Sequence, residues 1–591
     1  MSPPDPAPNA NTLWGRALVS ELVAAGVTAA CVAPGSRSTP LTLAFVERDD
    51  VAVFSHLDER SAAFFALGRA KRTGEATALV CTSGTAAANF HPAVVEADRS
   101  RAPMVVCTAD RPPELHDSGA NQTVDQDDLY GGAVRLSRTL PEPETDARKL
   151  RSLRVAAARA VAASTRAPAG PVHLNVPFRK PLEPTEVPGD VPGGFAEDAP
   201  LAAAGRDGPY VGTSRGPRTV DGSSLADLAD AVTAAERGLI VAGPADPVGA
   251  GVDAIRSLAS ATGFPLLADP LSGLRFGPHV DAVAVCGGYD AYLDPAVTDV
   301  WPAPDLVLRF GASPTSATTR DYLARSGARQ VLVDPAGGWR EATFTATDLV
   351  EADPGWLAGE LAERVEGPSG GSPVEDWAGR FERAEEAHWS AVDDEDRFFE
   401  GAVLAAAVAD APDPASLFVG NSMPVRDLDR FGRPRTADLT VLGNRGASGI
   451  DGITSTALGA GSATGDPLVL VTGDLSFFHD MNGLLALSRC DVDATIVVID
   501  NDGGGIFHML PIADHDAFEE WFVTPHGLDF SPTSDLYDLE FERVESIDGF
   551  RDAYGESLGS PGTRVVAVES DAEASFAVRE AIEARVVDDL G

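Results

Sequence analysis

Short apolar runs recur along almost the whole chain, and segments long enough for a helix separate them. The runs are AACVA, VAVF, ATALV, PMVVCT, VHLNV, GLIVAG, PLLAD, DLVLRFG, QVLVD, SLFVG, LVLVTG, ATIVVID and TRVVAVES. A continuous apolar run is typical of a strand buried on both faces, and a parallel neighbour is reached through a crossover helix. The pattern therefore predicts an α/β fold made of three doubly wound parallel-sheet domains.

Proline and glycine accumulate at two places, VPGDVPGG through GRDGPYVGTSRGP and EGPSGGSP, which is typical of linkers. A chain of 591 residues is too long for one core, and roughly three domains are expected. We predict domains at residues 1–187, 219–366 and 395–591, a linker at 188–218, and a linker followed by a helix at 367–394.

The formal net charge of −43 is extreme, and the acidic residues are spread along the chain. Lysine occurs only at Lys71, Lys149 and Lys180, so arginine supplies nearly all of the positive charge. Such a surface repels nucleic acid and anionic membranes. It also strains the fold by self-repulsion, which molar salt relieves by shrinking the screening length to about 3 Å. We predict a halophilic acidic surface suited to a high-salt cytoplasm; a merely acidic protein is the alternative.

Several features bear on location. No run approaches the roughly 18 apolar residues that a membrane span requires. The first residues, MSPPDPAPNA, lack the basic and apolar segments of a secretion signal and are expected to form a short disordered leader. The five cysteines form no CxxC pair, so we expect reduced, buried thiols and a cytoplasmic protein.

Small polar residues follow two neighbouring predicted strands in the stretch LVLVTGDLSFFHDMNGLLALSRCDVDATIVVIDNDGGGIF. Asp474 follows the first strand and Asn501 the second, and ligands of open α/β sheets bind beyond such strand ends. Their side-chain oxygens, a carbonyl near Gly503 and phosphate oxygens would satisfy octahedral Mg²⁺. The glycines allow close approach to a diphosphate. The alternative is that both segments are ordinary turns.

This pairing resembles the magnesium–diphosphate motif of thiamine diphosphate (ThDP) enzymes, in which Gly-Asp-Gly precedes Asn by about one helix and one strand. Here Leu475 and Ser476 follow Asp474, a departure from the general pattern. The resemblance implies that Asp474, Asn501 and the Gly503 carbonyl bind Mg²⁺, with Mn²⁺ as a further option. It also implies that Leu475 and Ser476 contact the cofactor, Ser476 at the phosphate.

ThDP enzymes also need a carboxylate at N1′ of the aminopyrimidine, because protonation there promotes deprotonation of the thiazolium C2. In VAVFSHLDERSAAFFALG, Glu59 follows a predicted strand and precedes a helical stretch, so Glu59 is the candidate catalytic residue. The alternative is a charged helix start, where acids are favoured by the helix dipole. His56, Asp58 and Arg60 are expected to be structural.

Further motifs follow in order along the chain. They are APGSRSTPLTLA, HLDER, TSGTAAAN, TADRPPEL, GANQT, FVGNSMPVRDLD, GNRGASGIDG and GGGIFHMLP. Together they closely resemble the 2-succinyl-5-enolpyruvyl-6-hydroxy-3-cyclohexene-1-carboxylate (SEPHCHC) synthase family of menaquinone biosynthesis. The resemblance covers the first and third predicted domains fully and the middle domain more weakly. It implies a ThDP-dependent transferase that decarboxylates 2-oxoglutarate and adds the succinyl unit to isochorismate by 1,4-addition.

Both implied substrates are dianions, and arginine suits them because its planar fork binds a carboxylate through two hydrogen bonds. A lone arginine is more often half of a surface ion pair. The resemblance implies that Ser422 and Arg426 hold the succinyl carboxylate, with Ser422 also at the cofactor, and that Arg445 is a second clamp. It implies a pocket for isochorismate formed by Ser36, Arg37, Asn121 and Gln122, and a pocket wall formed by Phe507 and Leu510.

Three assignments are less direct. Ile450 resembles the apolar residue that props ThDP into its V shape, and a simple core residue is the alternative. Arg111 either binds substrate or orders its loop. In GASPTSATTRDYL, Ala317 stands where the family tends to have a basic residue, and Arg320, one helical turn on, is a possible substitute. We expect none of His91, His479 and His508 to act as a general base.

Two rival functions stay open. Another ThDP carboligase or decarboxylase would act on pyruvate or a branched 2-oxo acid, but a monoanionic substrate needs no distal cations such as Arg426 and Arg445. A cofactor-binding regulatory or scaffold protein would not need Glu59 together with the metal motif. The family resemblance implies a homodimer at least, with a homotetramer expected.

Overall fold

The computed structural model describes residues 7–246, 249, 251–365 and 373–591. Within these residues the strands form three six-stranded sheets, and every strand pair in them is parallel. In the described chain, helices lie in most connections between successive strands, as is usual for parallel pairing, but none lies between β11 and β12. The predicted α/β class with three parallel sheets is confirmed.

The first sheet has the strand order β2-β1-β3-β4-β6-β5. Its strands are β1 Ala29–Val32, β2 Ala52–Ser55, β3 Thr77–Cys81, β4 Met104–Asp110, β5 Ser137–Thr139 and β6 Pro171–Pro177. The helices of this part of the chain are α1 Ala10–Ala24, α2 Thr39–Val46, α3 Glu59–Thr73, α4 Thr85–Asn89, α5 His91–Arg99, α6 Ala147–Ser164, α7 Phe195–Asp198 and α8 Pro200–Ala203.

The second sheet has the order β12-β11-β10-β7-β8-β9. Its strands are β7 Gly238–Ala242, β8 Leu266–Ala268, β9 Val285–Cys286, β10 Leu306–Phe310, β11 Arg329–Val333 and β12 Asp348–Val350. Its helices are α9 Gly222–Ala234, α10 Val252–Thr262, α11 Tyr289–Tyr292, α12 Pro295–Thr298, α13 Ala317–Arg325 and α14 Pro354–Ala362.

The third sheet has the order β14-β13-β15-β16-β18-β17. Its strands are β13 Ala415–Val419, β14 Leu439–Leu442, β15 Leu468–Gly473, β16 Thr495–Asp500, β17 Glu540–Val544 and β18 Arg564–Glu569. Its helices are α15 Pro373–Asp393, α16 Glu400–Ala409, α17 Met423–Phe431, α18 Ile453–Gly461, α19 Asp474–His479, α20 Leu485–Cys490, α21 Thr533–Tyr537, α22 Ile547–Gly559 and α23 Ala572–Leu590.

Five strands were not predicted, namely β5, β9, β12, β14 and β17, and each lies at a sheet edge. Edge strands are short and partly solvated, so they do not produce a continuous apolar run. Strand β5 (SRT) and strand β17 (EFERV) are mostly exposed or half-buried, whereas β3 and β13 are buried throughout. The apolar-run criterion therefore finds all twelve interior strands of the described residues but only one of their six edge strands, β2.

The described chain divides into two compact units. Unit 1 contains the first sheet together with Asn444–Thr464 and Asp480–Val492, and unit 2 contains the second and third sheets. In unit 1, α3 and α18 approach so closely that a Cβ at Gly68 would lie 1.9 Å from the Thr456 carbonyl oxygen. A Cβ at Gly459 would lie 2.0 Å from the Phe65 carbonyl oxygen, so both helices need glycine at this crossing.

The predicted linkers have different outcomes. Part of the segment 188–218 forms α7 and α8, and Arg154 donates hydrogen bonds to the carbonyl groups of Ala202 and Ala203. The glycine-rich part of the second linker, 366–372, lies outside the described residues, as do residues 1–6 of the expected leader. Helix α1 begins soon after, capped by the side chain of Asn9. The domain boundaries themselves stay predictions.

No helix among the described residues is both long and apolar enough to cross a bilayer.

Candidate active site

Asp474 and Asn501 meet in unit 2, as their spacing predicted. Strands β15 and β16 are adjacent, with Gly473 in register with Ile499. Asp474 is 2% exposed and begins α19. One of its carboxylate oxygens accepts hydrogen bonds from the backbone N–H of Asn501 at 3.2 Å and of Gly503 at 2.9 Å. The other accepts from the N–H of Leu475 at 2.5 Å. The two strand ends are therefore fastened to each other through one buried carboxylate.

The two polar atoms of the Asn501 side-chain amide differ in their hydrogen bonding. Its Nδ2 donates to Glu400 Oε1 at 2.7 Å. Its Oδ1 is buried and accepts no hydrogen bond from the described residues. Buried polar atoms are almost always satisfied, so an oxygen held in this way points to a ligand that the polypeptide does not supply. Because Glu400 accepts the hydrogen bond from Nδ2, the Oδ1 atom of Asn501 is the one that remains available to a ligand.

The donor set around Asn501 fits a hard divalent cation. Asp474, Asp500 and His526 each offer one ligand atom, and these atoms lie within 4.8 Å of one another. Carboxylate, amide and carbonyl oxygens are the ligands that Mg²⁺ and Mn²⁺ prefer. Burial raises the pKa of Asp474, and a bound cation would offset that cost. The residues present therefore fit the metal that the sequence motif predicts.

Glycine is required at the turn beside this site. Gly503 has a φ of +152°, and a Cβ there would lie 2.3 Å from the Val523 carbonyl oxygen. The segment 523–527 packs on the same turn, because Asp502 accepts hydrogen bonds from the N–H of His526 at 2.9 Å and of Gly527 at 2.6 Å. His526 Nε2 lies 3.3 Å from Asp474 Oδ2. The turn is thus built against a loop that sequence analysis did not single out.

The other predicted residues of unit 2 lie on neighbouring segments. Ser422 precedes α17 with a φ of 69°, in the left-handed region that a non-glycine residue seldom adopts. Arg426 Nη1 donates to the Ser422 carbonyl oxygen at 2.6 Å. Ser476 is buried in α19, next to Leu475. Phe507 packs on Phe522 with ring centroids 5.6 Å apart, and Leu510 is 45% exposed.

Glu59 is in unit 1, at the first position of α3. The Asp58 side chain caps this helix by accepting from the N–H of Arg60 at 2.8 Å and of Ser61 at 3.3 Å. Glu59 is half-buried. Burial chiefly, and then the Glu59 carboxylate, raise the pKa of the Cys81 thiol at the end of β3. The Glu59 side chain therefore lies by the carboxyl edge of the first sheet.

Two cations lie near each other at that edge. Arg37 is 4% exposed; burial first, and then the charge of Arg111, lower its pKa. Neither guanidinium forms an ion pair with a carboxylate among the described residues. The Nε atoms of Arg37 and Arg111 are both buried without a hydrogen-bond partner in the described chain. Such a pair is suited to a ligand with negative charge.

The other predicted isochorismate residues, Ser36, Asn121 and Gln122, also belong to unit 1. Arg111 Nη2 donates to the Asn121 carbonyl oxygen at 3.0 Å, so Arg111 does order its loop. Gln122 Nε2 donates to the Ser83 carbonyl oxygen at 3.0 Å, and Ser83 Oγ donates back to the Gln122 carbonyl oxygen at 3.0 Å. Ser36 is exposed, directly before Arg37. Unit 1 thus gathers residues that the sequence separates widely.

The loop of Arg445 and Ile450 also belongs to unit 1. Glu96 of α5 accepts hydrogen bonds from the backbone N–H of Gly446, Ala447 and Ser448 at 2.8, 2.6 and 3.3 Å. Lys71 Nζ lies 3.5 Å from the same carboxylate and balances its charge. The side chain of Ile450 is 38% exposed, so it is not a core residue.

Sequence analysis missed Glu96, Glu400 and His526. The carboxylate of Glu96 acts on a loop about 350 positions later, and no local pattern marks Glu400 as a partner of Asn501. The segment TPHGLDF around His526 was a usable signal, because a histidine beside glycine after an aromatic stretch is compatible with a site loop.

Arg320 was considered as a substitute for the basic residue expected at Ala317. Its Nη1 donates to the carbonyl oxygens of Pro314 and Thr315 at 2.7 and 3.0 Å.

Comparison with known proteins agrees with this geometry. The signature described as "Thiamine pyrophosphate enzyme, N-terminal TPP binding domain" matches residues 14–129, and the corresponding C-terminal TPP binding domain matches residues 430–568. A SEPHCHC synthase of Haloarcula marismortui is 62% identical over 592 residues, covering 99% of each chain. The chain belongs to the SEPHCHC synthase family. Other members include those of Natronomonas pharaonis, 60% identical with 99% of each chain covered, and Roseiflexus sp. RS-1, 44% identical with 97% of this chain and 98% of the relative covered.

Membership in the SEPHCHC synthase family confirms the expected ThDP-dependent enzyme class. The two matched regions contain Glu59 and Asp474, the residues from which the sequence prediction was built. Both cofactor-binding domains of this enzyme class are therefore present in one chain.

Proposed function

We propose that this protein decarboxylates 2-oxoglutarate and adds the resulting succinyl unit to isochorismate by 1,4-addition, releasing CO₂. The carrying observation is the 62% identity, over 99% of each chain, to a relative named as the synthase of this product. The reaction belongs to menaquinone biosynthesis. The buried Arg37 and the half-buried Arg111 support it, because both substrates are dianions.

Asp474, Asn501 and the Gly503 carbonyl are proposed to hold Mg²⁺ or Mn²⁺. The buried, unsatisfied Oδ1 of Asn501 supports this assignment. Ser422, Leu475, Ser476 and Ile450 would complete the cofactor contacts. When bound, thiamine diphosphate supplies the nucleophilic carbon and the electron sink that decarboxylation of a 2-oxo acid requires.

Glu59 is proposed to hold a proton at N1′ of the aminopyrimidine. Its placement after β2, at the start of a capped helix, fixes the carboxylate at the sheet edge where ligands bind. A carboxylate that shares a proton with a ring nitrogen must be oriented within hydrogen-bond reach, and a capped helix start orients it well.

Charge matching supports the substrate assignments. Ser422 and Arg426 are proposed to hold the succinyl carboxylate of 2-oxoglutarate, and Arg445 is proposed as a second clamp near the reacting carbons. Arg37, with Ser36, Asn121 and Gln122 around it, is proposed to bind isochorismate. Phe507 and Leu510 are proposed to wall the pocket and exclude water, which would otherwise protonate the reacting carbon.

Assembly and location are also proposals. The family resemblance supports a homodimer or homotetramer. All five cysteines lie among the described residues, are buried and form no disulfide, which supports the reducing environment of the cytoplasm. The predicted boundaries 1–187, 219–366 and 395–591 are retained as the pyrimidine-binding, middle and diphosphate-binding domains.

One assay tests the proposed function. The purified protein in molar KCl, with Mg²⁺ and ThDP, is given 2-oxoglutarate with and without isochorismate, and products are followed by mass. We expect product of the combined mass only when both substrates are present. Faster CO₂ release from pyruvate than from 2-oxoglutarate would instead favour the rival 2-oxo acid carboligase.

A variant separates chemistry from cofactor binding. Glu59→Gln should retain binding of Mg²⁺ and ThDP in calorimetry but lose turnover, because the amide cannot hold the proton at N1′. Near-normal turnover by this variant would remove Glu59 from the mechanism.

A further inference from the structure

Helix α17 contains charged residues on its buried side. Asp427, Asp429 and Arg430 are 3%, 2% and 5% exposed. Ser422 precedes this helix and Arg426 lies on it, and these two are the proposed ligands of a 2-oxoglutarate carboxylate. Charged groups are rarely buried unless they are paired, so each of the three needs a specific neighbour.

Arg275 of the second-sheet segment caps the end of α17. This residue is 0% exposed. Its Nη1 lies 2.6 Å from the carbonyl oxygen of Asp429 and 3.3 Å from those of Leu428 and Gly432. The last carbonyl groups of a helix have no partner within it. Arg275, which lies in the segment of the second sheet, therefore donates hydrogen bonds to the C-terminal carbonyl groups of α17.

The remaining N–H groups of Arg275 are also used. Its Nε donates to the Ala268 carbonyl oxygen at 2.7 Å, and its Nη2 to Asp429 Oδ1 and Tyr289 Oη, both at 2.8 Å. The Tyr289 hydroxyl donates to the same Asp429 oxygen at 2.5 Å. Asp429 is thus held from two directions by residues of the second-sheet segment.

Asp290, the residue after Tyr289, holds a second point on α17. Its Oδ2 accepts from Arg430 Nε at 2.8 Å and Nη2 at 2.6 Å. Its other oxygen accepts from Ser316 Oγ at 2.5 Å. Arg579 of α23 lies 3.4 Å from the Asp290 carboxylate and forms an ion pair with Asp427. All three buried charges of α17 therefore have fixed partners.

These contacts fix the orientation of α17 more than they increase the stability of the fold. A buried ion pair contributes little net stability, because desolvation offsets the attraction, but its directional hydrogen bonds permit one arrangement. Two such points on a nine-residue helix fix its rotation about its axis and its position along that axis. The direction in which Arg426 extends follows from both.

We propose that Arg275, Tyr289 and Asp290 are positioning residues that set the carboxylate-binding geometry of Ser422 and Arg426. This inference rests on the proposed function, since it assigns the second sheet a part in binding 2-oxoglutarate. The residues act through α17 and do not touch the substrate.

Two neighbouring tyrosines provide a matched test. Tyr289 and Tyr292 lie on α11, are 1% and 0% exposed, and each donates its hydroxyl hydrogen to a carboxylate. Tyr289 bonds Asp429 of α17, whereas Tyr292 bonds Glu385 of α15 at 2.8 Å. Replacing either by phenylalanine removes one hydroxyl and leaves the ring.

Tyr289→Phe removes the hydrogen bond donated to Asp429 and the one accepted from Arg275, and it should raise the KM for 2-oxoglutarate about threefold to tenfold. The KM for isochorismate and the calorimetric affinity for Mg²⁺ and ThDP should stay within twofold. Amide hydrogen exchange in residues 423–432 should be faster than in the wild type. Tyr292→Phe should leave both the KM and this exchange unchanged.

Equal behaviour of the two variants in KM and exchange would overturn the inference, as would a loss of cofactor affinity in Tyr289→Phe. Asp290→Asn should give a larger rise in the 2-oxoglutarate KM of the same kind. If the unmodified protein consumed no 2-oxoglutarate, the proposed function would fail instead, and the hydrogen-exchange comparison would still report on the control of α17.

Discussion

Arg37 in unit 1 and Arg275 in unit 2 are both almost completely buried, at 4% and 0% exposure, yet their surroundings differ. For Arg37, burial and the nearby Arg111 lower the pKa. For Arg275, burial acts in the same direction, but Tyr289 and Asp429 outweigh it and the pKa is raised. Arg37 is buried beside another cation, and the one carboxylate of the described residues that acts on it, that of Asp110, only partly offsets these effects, whereas Arg275 is buried among several acids.

The difference is what we expect between a proposed binding group, Arg37, and a structural group, Arg275. A buried cation that forms no ion pair costs free energy in the free protein, which a bound anion recovers. A buried cation whose five N–H groups are all used cannot bind anything further. Burial of an arginine alone therefore does not indicate function; its unused hydrogen-bonding capacity does.

The largest effect is expected at Arg275. Arg275→Met leaves Asp429 buried without its cation and should lower the free energy of unfolding by about 3–5 kcal/mol. Denaturation by urea in molar KCl measures this change. The double variant Arg275→Met with Asp429→Leu should recover at least half of the loss, because an apolar pair needs no counter-charge.

A surface pair is the control for this variant. Arg433 lies 2.8 Å from Asp393 with both side chains exposed, and Arg433→Met should cost less than about 1 kcal/mol. If Arg275→Met and Arg433→Met lowered the free energy of unfolding by similar amounts, the structural role assigned to the buried Arg275 would be contradicted.

The next effect is expected at Arg37 and appears in catalysis. Arg37→Met should lower kcat/KM for isochorismate about tenfold to a hundredfold, since a charge-assisted hydrogen bond contributes about 1.5–3 kcal/mol. Stability should fall by only about 1 kcal/mol, from the lost bond to the Phe178 carbonyl oxygen. Steady-state kinetics and urea denaturation measure the two quantities. Arg37→Lys should be intermediate, because it keeps the charge and loses the fork.

A smaller effect is expected at Arg111. This residue already bonds the Asn121 carbonyl oxygen, and its charge lowers the pKa of Arg37. Arg111→Met should therefore lower kcat/KM for isochorismate by about tenfold or less, while relieving Arg37 of a like charge. A loss greater than that of Arg37→Met would assign Arg111 the leading role and reverse their order.

The smallest expected effect concerns salt. Raising KCl from about 0.1 M to about 1 M should raise the melting temperature of the wild type, because screening reduces repulsion within a chain of net charge −43. The destabilisation by Arg275→Met should change by less than about 1 kcal/mol over this range, since buried pairs are screened much less. A melting temperature that did not rise would contradict the halophilic interpretation.

Sequence alone was sufficient where the signal is local. Asp474 and Asn501 could be paired because each directly follows an apolar strand and parallel strand ends share one edge. Glu96 and Glu400 could not be found, because their partners lie on distant segments and a helical glutamate has no distinguishing pattern. The edge strands β5 and β17 were missed for a different reason, because they lack the apolar faces that interior strands have.

The glycine crossing of α3 with α18 has a consequence for synthesis on the ribosome. Helix α3 emerges early, but the segment that covers it at Gly68 is made only after most of the chain has been translated. Until then, the face of α3 that α18 later covers stays exposed in the nascent chain. A fragment ending at Arg215 should accordingly bind a hydrophobic dye that the full chain does not bind.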